Sequence, residues 1–404
     1  MKSLKCCVLG VVLLLSQIIS VYGNSCNVYA QENNAGYLNL IYSYYDLIND
    51  DNAEDIVYLY GESLRSEVFD FFTNNSNKVN GEGIFGVESV EIMEMKAIET
   101  GFEYEYGNEI YHDTMLYFVK SKMSVDNSDK YYSNGINYFQ FYIGVDENGQ
   151  MKIANVEIPL YNVIINNDSD MESVNCYINN RNVLLYGDEI LNNGISLCAT
   201  TSESPVWSEN IYNPAKIKVL LSDKKTVVER DLKDYCKTVA AGEITTLKNT
   251  EALRACALAI KMFAIHHILT SGSGVSYDIN STDQVFDESK VRKQACNAAV
   301  DYVFNYFLLD KYGCIFKTFY RKSNASTDGE FCKKNGGILS QLGADSLAAD
   351  GNNWTYIMRY YYERKAGISY YNTAVSYGNL IITSAHTHNL NGNAICNLCG
   401  AVAK

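Results

Sequence analysis

The chain has 404 residues, a formal net charge of −14 and a hydrophobic fraction of 47%. That length can hold two full cores. The carboxylate excess excludes nucleic-acid binding by counterion release, which needs a basic surface.

The amino end reads MKSLKCCVLGVVLLLSQIISVYG. Lys2 and Lys5 precede an apolar run from Cys6 to Val21, and a cleavage site fits after Gly23, so residues 1–23 read as a signal peptide. An uncleaved N-terminal anchor is the alternative. Either way the chain is expected to be secreted, or held on the extracellular face of the membrane in a cell envelope. Loss of the two lysines takes the formal charge from −14 to −16, which disfavours anionic surfaces at long range. No later run reads as a membrane span. Beyond the leader lie Cys26, Cys176, Cys198, Cys236, Cys256, Cys296, Cys314, Cys332, Cys396 and Cys399. Export permits disulfides, but one sequence does not set their pairing. Cys236, Cys256 and Cys296 fall on helical stretches and read as small buried hydrophobes.

Residues 36–72 carry helical periodicity, with a second helix near 53–72. Strand-like runs follow at 87–99, 114–125 and 137–145. The Asp146-Glu147-Asn148-Gly149 turn returns the chain as a hairpin partner over 150–158. Residues 30–162 are therefore expected to form an α+β unit of helices and antiparallel sheet, in pattern like nuclear-transport-factor-2-like or cystatin-like domains. Residues 163–213 are polar and read as a linker.

From Pro214 a second unit is expected, over 214–378. Residues 216–221 and 226–229 read as a hairpin. Asp231 is an N-cap candidate for a helix to Ala241, and Thr250-Glu251 opens a long helix to Leu269. Leu253, Cys256, Ile260, Phe263 and His267 trace one face of it. Lys261 lies off that stripe, where it would face a groove. Further helices are expected at 290–307, 340–349 and 354–362, with a strand at 315–321. His266 and His267 read as structural, because no nucleophile is placed with them.

Four ordered motifs in this second unit resemble the stage II sporulation protein D / amidase enhancer (SpoIID/LytB) family, over roughly Lys216 to Tyr362. They are Leu232-Lys233-Asp234-Tyr235 running to Ala241-Gly242-Glu243, then Glu251-Ala252-Leu253-Arg254-Ala255-Cys256-Ala257 with Lys261. Next come Tyr277-Asp278 with Gln284-Val285-Phe286, and last Leu339-Ser340-Gln341-Leu342-Gly343-Ala344. The resemblance implies a peptidoglycan lytic transglycosylase with Glu243 as its acid. One carboxyl suffices for that chemistry. It protonates the glycosidic oxygen, the sugar's own C6 hydroxyl attacks C1, and the carboxylate takes that hydroxyl's proton to leave a 1,6-anhydro-muramyl end. The implied partners are peptidoglycan glycan strands and, under the enhancer reading, a cell-wall amidase; the family name points to sporulation. A degenerate structural surface protein is a further alternative.

The chain departs from the family pattern in places. Ile244-Thr245 follows the acid where Met-Pro is usual, Lys261 replaces an arginine and its bidentate fork, and Lys333-Lys334-Asn335-Gly336-Gly337 lacks a histidine. The Tyr277–Gln284 loop has no Cys or His, so no metal is expected there. Lys261, Asp278, Gln284, Tyr320, Ser323, Ser340 and Gln341 are candidates to line a sugar groove. Tyr302, Tyr306 and Tyr360–Tyr362 could stack on sugars, or fill core.

Residues 379–404 read as a tail. His386, His388, Cys396 and Cys399 have zinc-knuckle spacing. A structural zinc and a disulfide are both open there, and no cofactor is required for the proposed chemistry.

Overall fold

The structure, a computed structural model, describes residues 35–186, 213–310, 313–322, 337–363 and 380–384. The leader, Ser323 and the His386, His388, Cys396 and Cys399 set lie outside the described residues. The fold is α+β, as expected, with an antiparallel sheet.

The first half opens with helix α1 over 35–49. The helix expected near 53–72 is two pieces, a 3-10 segment at Ala53–Tyr58 and α2 at Glu62–Phe72. α3 (Asn75–Val79) leads towards the sheet. The strands are β1 (Val87–Tyr106), β2 (Glu109–Val125), β3 (Gly135–Val145) and β4 (Met151–Glu157), paired in that order. The break before α2 has a cause in pairing: Tyr60 bridges Ile153 of β4, and Gly61 N–H donates to Ile153 O at 3.0 Å.

β1 and β2 run further than expected. Their ladder continues to Tyr106↔Glu109, interrupted by bulges, which bend strands and re-aim side chains.

The expected linker is a correction. Its described part folds as the end of α4 (Tyr161–Asn167) and as α5 (Met171–Tyr186). Val174, Tyr177 and Ile178 enter the first-half core, and the Tyr138 hydroxyl donates to Asp168 Oδ2 at 2.6 Å. Asparagine-rich composition masked a buried stripe at Val174, Ile178, Arg181 and Leu185, which is helical spacing.

In the second half, β5 (Lys216–Leu220) pairs with β6 (Val227–Asp231). Asp231 caps α6 (Leu232–Glu243) as expected, its carboxylate accepting from Lys233 N at 2.9 Å and Asp234 N at 3.0 Å. α7 (Thr250–Thr270) is the central helix of this half, and Lys261 is buried with its apolar neighbours. It is long and apolar enough to cross a membrane by length and composition, contrary to the sequence reading, and here it is core. α8 (Gln294–Val303) is shorter than the expected 290–307 helix. The chain leaves it to form β8 (Tyr306–Leu309), which pairs with β11 (Ile381–Ser384). The start of the expected tail is thus part of a sheet. β7 (Ile279–Asn280) runs parallel to β5, and β9 (Phe319–Arg321) runs parallel to β10 (Ile338–Ser340). α9 (Gln341–Ala349) and α10 (Trp354–Tyr362) complete the half. Cys236, Cys256 and Cys296 are buried and form no disulfide among the described residues, and burial pushes the Cys236 thiol up to about 12.

Each half has its own core, but they are joined. Leu220, Val275 and Tyr277 from the second half belong to the first-half core. Ile84 N–H donates to Gly274 O at 3.0 Å, Ile158 N–H to Thr270 O at 2.9 Å, and Arg181 Nη2 to Leu269 O at 2.6 Å. Residues 269–278 therefore stitch the halves together.

Candidate active site

Glu243 is the last residue of α6, half-buried where the helix meets the segment after β7. Its Oε1 accepts from Val285 N–H at 2.8 Å. Its Oε2 is sealed from solvent without a hydrogen-bond partner among the described residues. Burial raises its pKa; the Val285 amide and the nearby Tyr320 hydroxyl oppose that rise only in part. A carboxyl in such a place holds its proton to higher pH than a surface glutamate.

The preceding glycine explains how the acid gets there. A Cβ on Gly242 would lie 2.8 Å from Val285 O and 2.9 Å from Val285 Cγ1. Only glycine lets α6 approach the 284–286 segment closely enough for Glu243 to reach the Val285 amide.

Gln284 and Tyr320 gather beside Glu243. Gln284 is 1% exposed. Its Nε2 donates to Tyr320 Oη at 2.8 Å and to Ile260 O at 3.1 Å, and its Oε1 accepts from the Tyr235 hydroxyl at 2.8 Å. Tyr235 was quoted in the motif but not predicted as a site residue. Its stacking on Phe286, centroids 5.2 Å apart, fixes the ring, and the sequence signal was its place about two helical turns ahead of the acid.

The other predicted residues do different work. Lys261 does not face a groove, because α7 leaves no free face at that position. Its Nζ donates to Phe304 O at 2.9 Å and to Tyr306 O, and lies 3.7 Å from the Phe307 ring centroid. Burial pushes its ammonium down to about 7. It satisfies the carbonyls between α8 and β8. Asp278 has a fully enclosed carboxylate that pairs with Lys130 and accepts from the Tyr131 hydroxyl and Lys218 N–H, each at 2.8 Å. It joins the halves. Ser340 caps α9, accepting from Gly343 N–H at 3.0 Å. Gln341 is buried, with Oε1 unpaired. His266 and His267 are not merely core: both line a cleft between the halves.

That cleft has a volume of about 420 Å³. Its first-half wall comes from the far end of β1 and from β3 and β4, and its second-half wall from the end of α7, the 271–283 segment and Lys317. Burial, with the nearby charge of Asp283, raises Glu67 to about 7. Burial also raises Glu157 and Asp283, although Asp283 keeps surface exposure at the cleft mouth. Burial, aided by Lys317, takes His266 down to about 3 and holds His267 well below the usual histidine range, so both rings are neutral near pH 7. Among the described residues, no three His, Cys, Asp or Glu side chains form a metal-binding group. The cleft and the Glu243 cluster share a wall. Asp283 and Phe319 line the cleft, while Gln284 and Tyr320, the next residue in each case, bond beside Glu243.

In comparisons with known proteins, the chain matches no family model and no curated protein.

Proposed function

We propose that this is an exported cell-envelope protein that cuts peptidoglycan glycan strands by lytic transglycosylation, with Glu243 as the single acid and base. The observation that carries the proposal is the Glu243 carboxyl: held on the Val285 amide, raised by burial, and flanked by Gln284 and Tyr320. A protonated Glu243 gives its proton to the glycosidic oxygen as the bond to C1 breaks. The C6 hydroxyl of the same sugar closes on C1, and the Glu243 carboxylate receives that hydroxyl's proton. The acid is restored and no water is consumed. The half-buried phenol of Tyr320 is suited to a sugar hydroxyl, and the enclosed Gln284 amide, itself fixed by Tyr235, holds that phenol in place.

The sealed Oε2 favours a second reading, in which the domain binds glycan without cutting it and enhances a partner amidase. Incubation with peptide-free glycan strands, followed by mass spectrometry, separates the two. The lyase reading requires 1,6-anhydro-muramyl ends from wild type and their loss in Glu243→Gln with binding retained. Binding without any anhydro product overturns it in favour of the enhancer reading.

A further inference from the structure

We infer that the cleft between the halves is a binding site for a small organic cation, a primary ammonium carried on a single ring. This inference stands apart from the lyase reading, since Glu243 is not among the residues lining the cleft.

Charge sets the sign of the ligand. Glu67, Glu99, Glu105, Glu157 and Asp283 line the walls, and Lys317 is the ammonium among them. Asp278 is already matched by Lys130. The donors that hold the carboxylates are neutral: Tyr106 hydroxyl to Glu67 at 2.8 Å, Asn155 Nδ2 to Glu157 at 3.0 Å and Tyr142 hydroxyl to Glu157 at 3.3 Å. They orient the oxygens, and the Lys317 ammonium, which faces Glu67, Glu157 and Asp283, offsets only part of their charge. A cation entering here meets half-buried carboxylates at Glu67, Glu105 and Glu157 and exposed ones at Glu99 and Asp283, to which it can make charge-assisted hydrogen bonds.

Shape sets the body of the ligand. Tyr104 and Tyr142 stack with centroids 4.5 Å apart on one wall, and Phe263 and Phe319 stand 6.1 Å apart on the other. The walls fit a ring, and because the Lys317 ammonium already lies 5.3 Å from the Phe263 centroid and 5.2 Å from that of Phe319, the tyrosine pair is the wall left for a ligand cation. Independent of the acids, Tyr277 is 2% exposed, lines the cleft, and lies in the field of Glu67 and Asp283. Its hydroxyl has no hydrogen-bond partner among the described residues. The Nε2 of His267, on the same wall, is likewise buried and unpartnered. Buried polar atoms are rarely left so, and a ligand with a donor and an acceptor would satisfy both.

The test is isothermal titration of the full chain with tyramine and with glucosamine, each against its N-acetyl form. The inference requires saturable binding of at least one amine below about 1 mM, with its acetylated form weaker by about tenfold or more. Tyramine alone would assign an aromatic ring, glucosamine alone a sugar. Asp283→Asn, at the mouth, should weaken binding about fivefold or more, with an unchanged melting curve, and Glu243→Gln should leave it as in wild type. The inference fails if neither amine binds, if acetylation makes no difference, or if Asp283→Asn binds like wild type.

Discussion

Asp278 offers the sharpest test of how the halves are held. Replacing it with Asn keeps the volume but removes the charge facing Lys130, whose side chain is 14% exposed against 0% for Asp278. Burial already pushes the Lys130 ammonium down, and Asp278 works against that push. Stranding one member of a buried pair costs about 3–5 kcal/mol. The Tyr131 hydroxyl and Lys218 amide bonds, both 2.8 Å, are weakened as well. At about 2 °C per kcal/mol for a chain of this size, the melting temperature should fall by roughly 6–10 °C. Calorimetry on wild type, Asp278→Asn, Lys130→Met and the double variant forms a cycle. The double variant should recover at least about 1 kcal/mol relative to the sum of the singles. A loss below about 1 kcal/mol in Asp278→Asn, or strict additivity, would refute the claim that this pair ties the halves.

Lys261→Met should leave the Phe304 and Tyr306 carbonyls unsatisfied and cost about 2–4 kcal/mol in urea unfolding, with glycan binding unchanged; a selective loss of binding would return Lys261 to the substrate groove. Gly242→Ala forces a methyl against Val285 O and should cost about 1–3 kcal/mol. Anhydro-product formation should fall with it, because the Val285 amide that holds Glu243 must move; full activity would show that this contact does not position the acid. Glu67 binds its proton more tightly folded than unfolded, 4.5 rising to about 7. The folded state therefore holds more protons between those values, and stability declines as pH rises through them, by at most about 1.4 kcal/mol per pH unit. Urea midpoints from pH 5 to 7 should fall less steeply in Glu67→Gln than in wild type; parallel profiles would contradict it.

Much of the fold was legible where one local rule dominates. The Asp231 cap, the α10 span and the β3–β4 hairpin follow from capping, periodicity and turn chemistry. The nearness of Glu243 to the Gln284-Val285 segment was legible through motif order, whereas Tyr320 lies in none of the four motifs and entered only as a groove-lining candidate. Lys261 and Asp278 were misread because sequence spacing reports neither which carbonyls go unsatisfied at Phe304 and Tyr306 nor that Lys130 waits across the junction. α5 was missed because asparagine is a poor helix former and tertiary packing overrode it. The cleft was out of reach altogether. Its walls combine Glu67, the bulged end of β1, His266 and Lys317, which no periodicity brings together.

Val275 and Tyr277 have a bearing on synthesis. A chain emerging amino end first completes the first-half sheet at Glu157, yet that sheet's core still lacks these two side chains. The early-made portion must wait, with an apolar gap, until more than a hundred further residues have been threaded out. A truncation ending before residue 270 should therefore emerge sticky and chaperone-dependent, while one ending after 280 has the missing plug in hand.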